Sequence, residues 1–147
     1  MGSEPPLSAD ETRRYARHLV LKGMGGAGQQ KLKAARVLVV GAGGLGSPAI
    51  AYLAAAGLGR LGIADPDRVS LSNLQRQIVH PTAAIGAGKA DSAAAFARAL
   101  NPHPAVAVHA LSVDAGNAAA LLKDYDLVLD ATDTPAARRA VAAAAAA

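Results

Sequence analysis

The chain has 147 residues, 52% of them hydrophobic but only 3% aromatic, with no tryptophan and no cysteine. A chain of this length buries about 70% of its unfolded surface and needs no disulfide or metal to hold a core. The missing cysteines exclude a disulfide scaffold, a CxxC zinc site and any thioester or persulfide chemistry on this polypeptide. Lys and Arg number 15 against 11 Asp and Glu, a net charge of +4, which suits an anionic ligand but is too diffuse to indicate nucleic acid.

The polar, acidic opening MGSEPPLSADE reads as no secretory signal, and Pro6 spoils an N-myristoylation match, so a cytoplasmic location is expected. From Ser8 the pattern turns helical: Ser8 is placed to N-cap, Glu11 is its capping-box partner, and Leu7, Tyr15 and Leu19 share an apolar side. Arg13, Arg14, Arg17, His18 and Lys22 form the densest basic cluster, most of it the solvated face of that helix. Gly23, Gly25, Gly26 and Gly28 then interrupt it, and a second helix is expected over about Gln29–Ala35. Residues 1–35 thus read as a helical arm preceding one main domain, 36–147.

Between Arg36 and Arg60 lie about 23 uncharged residues, enough to span a bilayer, but the cluster Gly41, Gly43, Gly44, Gly46 and Pro48 breaks them into strand, turn and helix. Continuous apolar runs at Val37–Val40, Leu61–Ala64, Val106–Leu111 and Leu127–Leu129 read as strands of a parallel sheet covered on both faces. Helical segments alternate with them, at about Pro48–Ala56, Lys89–Leu100 and Asn117–Lys123. Alternation implies right-handed crossovers and an α/β, doubly wound, Rossmann-like sheet. A last helix opens at Pro135, with proline at a first helical position and an alanine run behind it. It returns to no further strand, so the domain is expected to be incomplete.

The strongest local motif is VLVVGAGGLG, where Gly41, Gly43 and Gly46 satisfy GxGxxG between a strand and a helix. The first glycine permits the tight turn, the second lets phosphate approach the main chain, and the third lets helix and strand pack closely. The helix N-terminus offers unpaired N–H groups to an anion. Asp65 closes the second strand where an acid accepts ribose hydroxyls. Taken alone, these features suggest NAD(P) or FAD. Further residues argue for a phosphate clamp: Asp67, Ser72, Asn73 and Arg76 just past the second strand, Lys89 at the next helix start, and Asp133 after the fourth strand. Arg76 and Lys89 can converge on a strongly anionic group, and Asp133 can hold a divalent cation on phosphate oxygens.

Each residue also has a plainer reading. Asp65 and Asp67 suit a turn beside Pro66, Arg76 suits an ordinary surface position, and Lys89 suits an exposed first turn, although there it opposes the helix dipole unless an anion is bound. Asp133 suits an N-cap of the last helix. His18, His80, His103 and His109 lack metal-ligand spacing and read as surface or strand-packing residues.

The segments RYARHLVLKGMGGAGQQKL, VLVVGAGGLGSPAIAYLAAAGLGRLGIADPD, VSLSNLQRQIVH, GAGKAD, Leu100-Asn101-Pro102 and DLVLDATDT resemble, in order and spacing, the MoeB/ThiF/HesA family of ubiquitin-activating-type adenylating enzymes. The resemblance runs from about Arg13 to Asp133. It implies ATP-dependent adenylation of the C-terminal Gly-Gly carboxylate of a small ubiquitin-like sulfur-carrier protein, in molybdopterin, thiamine or related sulfur transfer, with release of pyrophosphate. By the same resemblance Gly44 and its neighbouring glycines lie against the nucleotide, Asp65 binds the ribose, and Asn73 and Arg76 contact phosphates. Lys89 neutralises developing charge, Asp133 binds Mg2+, and Arg17 reaches the ATP of the partner subunit in a homodimer. Family members carry a further C-terminal half, often with paired CxxC zinc ligands, and have Asn where Thr134 stands. Competing expectations are an NAD(P)-dependent oxidoreductase, a non-catalytic nucleotide-binding module, and a relative that activates a carboxylate on modified tRNA.

Overall fold

The computed structural model describes residues 5–147. Three short helices come first, α1 (Ala9–Arg14), α2 (Ala16–Leu19) and α3 (Gly25–Ala34). The Ser8/Glu11 capping box forms as expected: Glu11 N–H donates to Ser8 Oγ at 3.1 Å, and Ser8 N–H donates to Glu11 Oε2 at 2.7 Å. Burial pushes the Glu11 carboxyl up, but the Lys33 ammonium, 2.6 Å away, and the Ser8 donors outweigh it and hold the group below its ordinary value. Helix α3 begins earlier than the glycines suggest. Gly26 and Gly28 lie inside its first turns, and a Cβ on Gly28 would stand 2.9 Å from Met24 Sδ. Packing of Met24 across the bare glycine outweighs low helix propensity there.

Strands β1 (Arg36–Val40), β2 (Arg60–Ala64), β3 (Ala105–His109) and β4 (Leu127–Asp130) form one sheet in the order β3-β2-β1-β4, and every pairing is parallel. The strands that sequence placed are all present, with small shifts at their ends. β3 stops at His109 because Leu111 N–H turns back onto the His109 carbonyl at 2.9 Å, releasing residues 111–113 from the sheet. Helices α4 (Gly46–Ala56) and α5 (Lys89–Leu100) cover one face, and α6 (Ala118–Leu122) and α7 (Pro135–Ala146) the other. Side-chain alternation along β1 makes this division: Val37 and Val39 pack with Ile50, Ala54, Ala93 and Ala97, while Leu38 and Val40 pack with Ala118, Ala140 and Val141. Alanines at the α4–α5 contact let the helices approach closely, so the core closes with almost no aromatic residues.

The arm is docked on the carboxyl end of α4. Tyr15 lies against Gly57, whose φ of +84° ends α4 in the left-handed conformation, and a Cβ there would stand 2.3 Å from Tyr15 Cζ. The Tyr15 hydroxyl accepts from Asn101 Nδ2 at 2.8 Å, and Gln29 Nε2 donates to the Ala56 carbonyl at 2.7 Å. At α7 the N-cap is Thr134, whose hydroxyl accepts from Ala137 N–H at 3.4 Å, so the capping role expected of Asp133 falls one residue later. Among the described residues, no helix is long and apolar enough to cross a membrane.

Candidate functional site

The order β3-β2-β1-β4 makes successive connections leave in opposite directions from β1, and a crevice opens at the carboxyl ends of the strands. A cavity of about 740 Å³ occupies it, within the range of small-molecule and nucleotide sites. All four strand ends contribute: Gly41, Gly43 and Gly44 after β1, Asp65 and Asp67 after β2, Ser112 after β3, and Thr132 and Asp133 after β4. Arg76, Gln77, Lys89 and Arg138 complete its polar wall.

The glycine turn is built by close approach. Gly41 has φ +102°, and a Cβ on it would stand 2.6 Å from the Ala131 carbonyl oxygen. A Cβ on Gly46 would stand 1.7 Å from the Gly41 carbonyl oxygen, so α4 can pack on the turn only with glycine there. At Gly43 and Gly44 the nearest atoms to such a Cβ are Gln77 Nε2 at 3.6 Å and Arg76 Cδ at 3.5 Å, which leaves their backbone open to a ligand. Ser47 N–H donates to the Gly43 carbonyl at 2.9 Å as α4 begins. The N–H groups of the residues before it form the orphan donors of the helix end.

Asp65 is buried, with Oδ2 accepting from Ala42 N–H and Oδ1 from Asp67 N–H, both at 2.8 Å. It is thus both a turn residue and a brace for the glycine loop, and each oxygen retains a lone pair for a ligand hydroxyl. Lys89 is buried rather than exposed, with Nζ 3.8 Å from Asp67 Oδ2. Arg76 is exposed on the rim, donating to the Ser72 carbonyl at 3.3 Å. Arg138 caps the opposite wall through two bonds to the Thr132 carbonyl, at 3.1 and 2.9 Å.

Four of the sequence-derived candidates lie outside the cavity lining. Ser72 and Asn73 belong to the 3-10 turn Leu71–Asn73, where Asn73 Oδ1 accepts from Ser70 N–H at 3.3 Å. Gly46 works through packing, and Arg17 is exposed on α2. Two further residues were not read from sequence. Gln77 is buried at the cavity wall, and its Oε1 has no hydrogen-bond partner among the described residues. His80 was expected at the surface or packed on a strand. It is instead buried in the loop before α5, its ring bonded to Ser92 Oγ and the Ala42 carbonyl. Burial pushes its pKa below the ordinary value, and Lys89 adds to that push. The single run Gln75-Arg76-Gln77, three residues before His80, was the only sequence signal for either residue.

The residues fit a nucleotide. The bare Gly43–Gly44 backbone gives a phosphate room, Gln77 Nε2 stands beside it as a donor, and Arg76 and Lys89 supply positive charge. Among the described residues no group of three or more acidic, His or Cys side chains could hold a metal. Mg2+ bound with substrate phosphates needs only one or two carboxylates, and the exposed Asp133 on the cavity wall offers one.

The chain is 50% identical over 135 residues to the adenylyltransferase and sulfurtransferase uba4 of Aspergillus fumigatus, covering 92% of this chain and 27% of that protein. It is 52% identical over 132 residues to the probable adenylyltransferase/sulfurtransferase MoeZ of Mycobacterium tuberculosis, covering 90% of this chain and 34% of that one. It therefore spans about a third or less of the length of these curated relatives. Among solved structures it resembles the ATP complex of the Escherichia coli tRNA N6-threonylcarbamoyladenosine dehydratase TcdA. That match has TM-score 0.86 and 32% identity, and covers 91% of this chain and 55% of that one. The E. coli MccB structure with MccA-N7isoASN gives TM-score 0.75 at 26% identity, covering 88% and 38%. The ThiF family model matches residues 15–147, and the chain belongs to the ThiF family.

Proposed function

We propose that the cavity binds Mg-ATP and serves ATP-dependent adenylation of the C-terminal Gly-Gly carboxylate of a small ubiquitin-like sulfur-carrier protein. The observation that carries this reading is the convergence of two cations, Arg76 and Lys89, with the open Gly43–Gly44 backbone on one cavity at the strand ends. A redox dinucleotide carries no triphosphate and needs less positive charge at this turn. The ATP complex of TcdA and the adenylyltransferase names of uba4 and MoeZ support it.

In the reaction a carrier carboxylate oxygen bonds to the α-phosphorus, the bond from that phosphorus to the bridging oxygen breaks, and pyrophosphate leaves with the electron pair. No covalent bond to the protein is needed, so positioning and charge neutralisation carry the rate. The Gly41–Gly46 turn and its N–H groups seat phosphate, Asp65 takes the ribose hydroxyls, and Asp67 orients Lys89. Arg76 contacts the phosphates from the rim, with Ser72 holding it through its carbonyl, and Asn73, its Oδ1 taken by Ser70 N–H, offers them its amide Nδ2 from the edge of the same turn. Lys89 neutralises charge as pyrophosphate departs. Asp133 would hold Mg2+, which would offset charge on the phosphates. Arg17, exposed on the arm, reaches the site of a partner subunit in a homodimer, and the enzyme works in the cytoplasm.

A carboxylate on modified tRNA is a second reading, favoured by the structural likeness to TcdA. Pyrophosphate exchange into ATP separates the two. Exchange that depends on a Gly-Gly-ended carrier, and is abolished by Lys89→Ala or Arg76→Ala, is expected; near-normal exchange in both variants would sink the assignment.

A further inference from the structure

We propose that His80 is a positioning residue that locks the Ala42 carbonyl, and with it the Ala42–Gly43 peptide plane, and so fixes the glycine turn in the shape that faces its N–H groups to phosphate. The proposal rests on the nucleotide reading above for its purpose, but the lock itself is a property of the free chain. Ala42, the second residue of the GxGxxG turn, is fully buried. Both of its backbone groups are held by side chains distant in sequence. Its N–H donates to Asp65 Oδ2 at 2.8 Å, and its carbonyl lies 2.8 Å from His80 Nε2, across 38 residues of chain.

A carbonyl oxygen only accepts, so Nε2 must carry the ring proton. His80 Nδ1 then has to accept, and Ser92 Oγ, 2.9 Å away, supplies the hydroxyl proton. The tautomer is thereby fixed from both sides. Ser92 stands in the first turns of α5, three residues after Lys89, and His80 follows the segment that carries Arg76 and Gln77. One neutral imidazole therefore ties together the glycine turn, the arginine segment and the lysine helix. Lys89 and Asp65 are the charged groups that act on it, in opposite senses, and burial disfavours its charged form. Its ring does not line the cavity, so its action on a ligand passes through Ala42.

The test uses His80→Phe, which fills the space without a donor, and His80→Gln, whose amide nitrogen can replace Nε2. In His80→Phe a cooperative melt is retained, amide exchange at Ala42 rises about tenfold or more, and Mg-ATP binds about tenfold more weakly. His80→Gln recovers affinity to within about threefold of the unaltered chain. Exchange at Ala42 and affinity both within about twofold in His80→Phe would overturn the proposal. If the unaltered chain binds no Mg-ATP while exchange at Ala42 still accelerates, the nucleotide reading fails and the lock stands. Should His80→Phe not fold, nitrogen-15 spectra of the unaltered chain and of Ser92→Ala decide. A single Nε2–H tautomer that loses its uniqueness in Ser92→Ala supports the lock, and a proton on Nδ1 in the unaltered chain refutes it.

Discussion

Lys89 Nζ stands 3.8 Å from Asp67 Oδ2, with the lysine side chain 10% exposed and the aspartate 68% exposed. The backbone brings the two together: Lys89 N–H donates to the Asp67 carbonyl at 2.8 Å, beside an antiparallel bridge between Arg68 and Gly88. The ammonium thus sits at the positive end of α5 with its carboxylate beyond hydrogen-bond reach. A bound anion would complete it. Lys89→Met is therefore expected to weaken Mg-ATP binding about tenfold to a hundredfold while the melting temperature holds or rises. Calorimetric titration beside a thermal melt measures both; a large fall in melting temperature with unchanged affinity would assign Lys89 a structural role instead.

Gly46 and Gly43 should separate packing from ligand contact. A methyl at Gly46 collides with backbone at 1.7 Å, whereas at Gly43 it meets only Gln77 Nε2 at 3.6 Å. Gly46→Ala is expected to cost about 3 kcal/mol of stability. Gly43→Ala should unfold like the unaltered chain in urea yet bind Mg-ATP more weakly, because its methyl fills the phosphate approach.

Much of this site was legible because its motifs are local. The glycine spacing, Asp65 at a strand end and Lys89 at a helix start each follow from a few neighbouring residues. The four parallel strands were legible too, since a sheet covered on both faces writes apolar runs into each strand. His80 and Gln77 were not, because what they do depends on partners from distant loops, and a histidine in a polar stretch carries no mark of the carbonyl it will meet. The start of α3 was obscured by its glycines, whose tolerance rests on Met24. Asp133 and Thr134 are adjacent cap-type residues, and only the backbone geometry decided between them.

Histidine burial makes the fold lose stability as pH falls below 6.5. His80 and His109 both have their pKa pushed below 6.5, the first by burial and Lys89, the second by burial and Arg60. Below that value the unfolded chain binds protons that the folded one resists, so stability is full above pH 6.5 and drains as pH falls from there toward the depressed folded values, where the loss levels off. Melting temperature should hold from about pH 8 to pH 6.5 and then decline, and His80→Gln should shallow the decline. An unchanged slope in that variant would mean that His80 is not held neutral.

One aromatic ring anchors the arm beside the Gln29 bond to Ala56. Tyr15 is 3% exposed and accepts from Asn101 at 2.8 Å. Tyr15→Phe is expected to cost about 1 kcal/mol and Tyr15→Ala about 3 to 5 kcal/mol, both measured by urea denaturation. Equal effects of the two would mean that the ring packs on Gly57 without contributing.

The most direct measurement is a paired titration of the chain with Mg-ATP and with NADH. The cation-lined cavity requires Mg-ATP to bind at least about tenfold more tightly, with the advantage lost in Lys89→Met. Equal or tighter binding of NADH, unaffected by that substitution, would contradict an adenylation site and return the glycine turn and Asp65 to a redox dinucleotide.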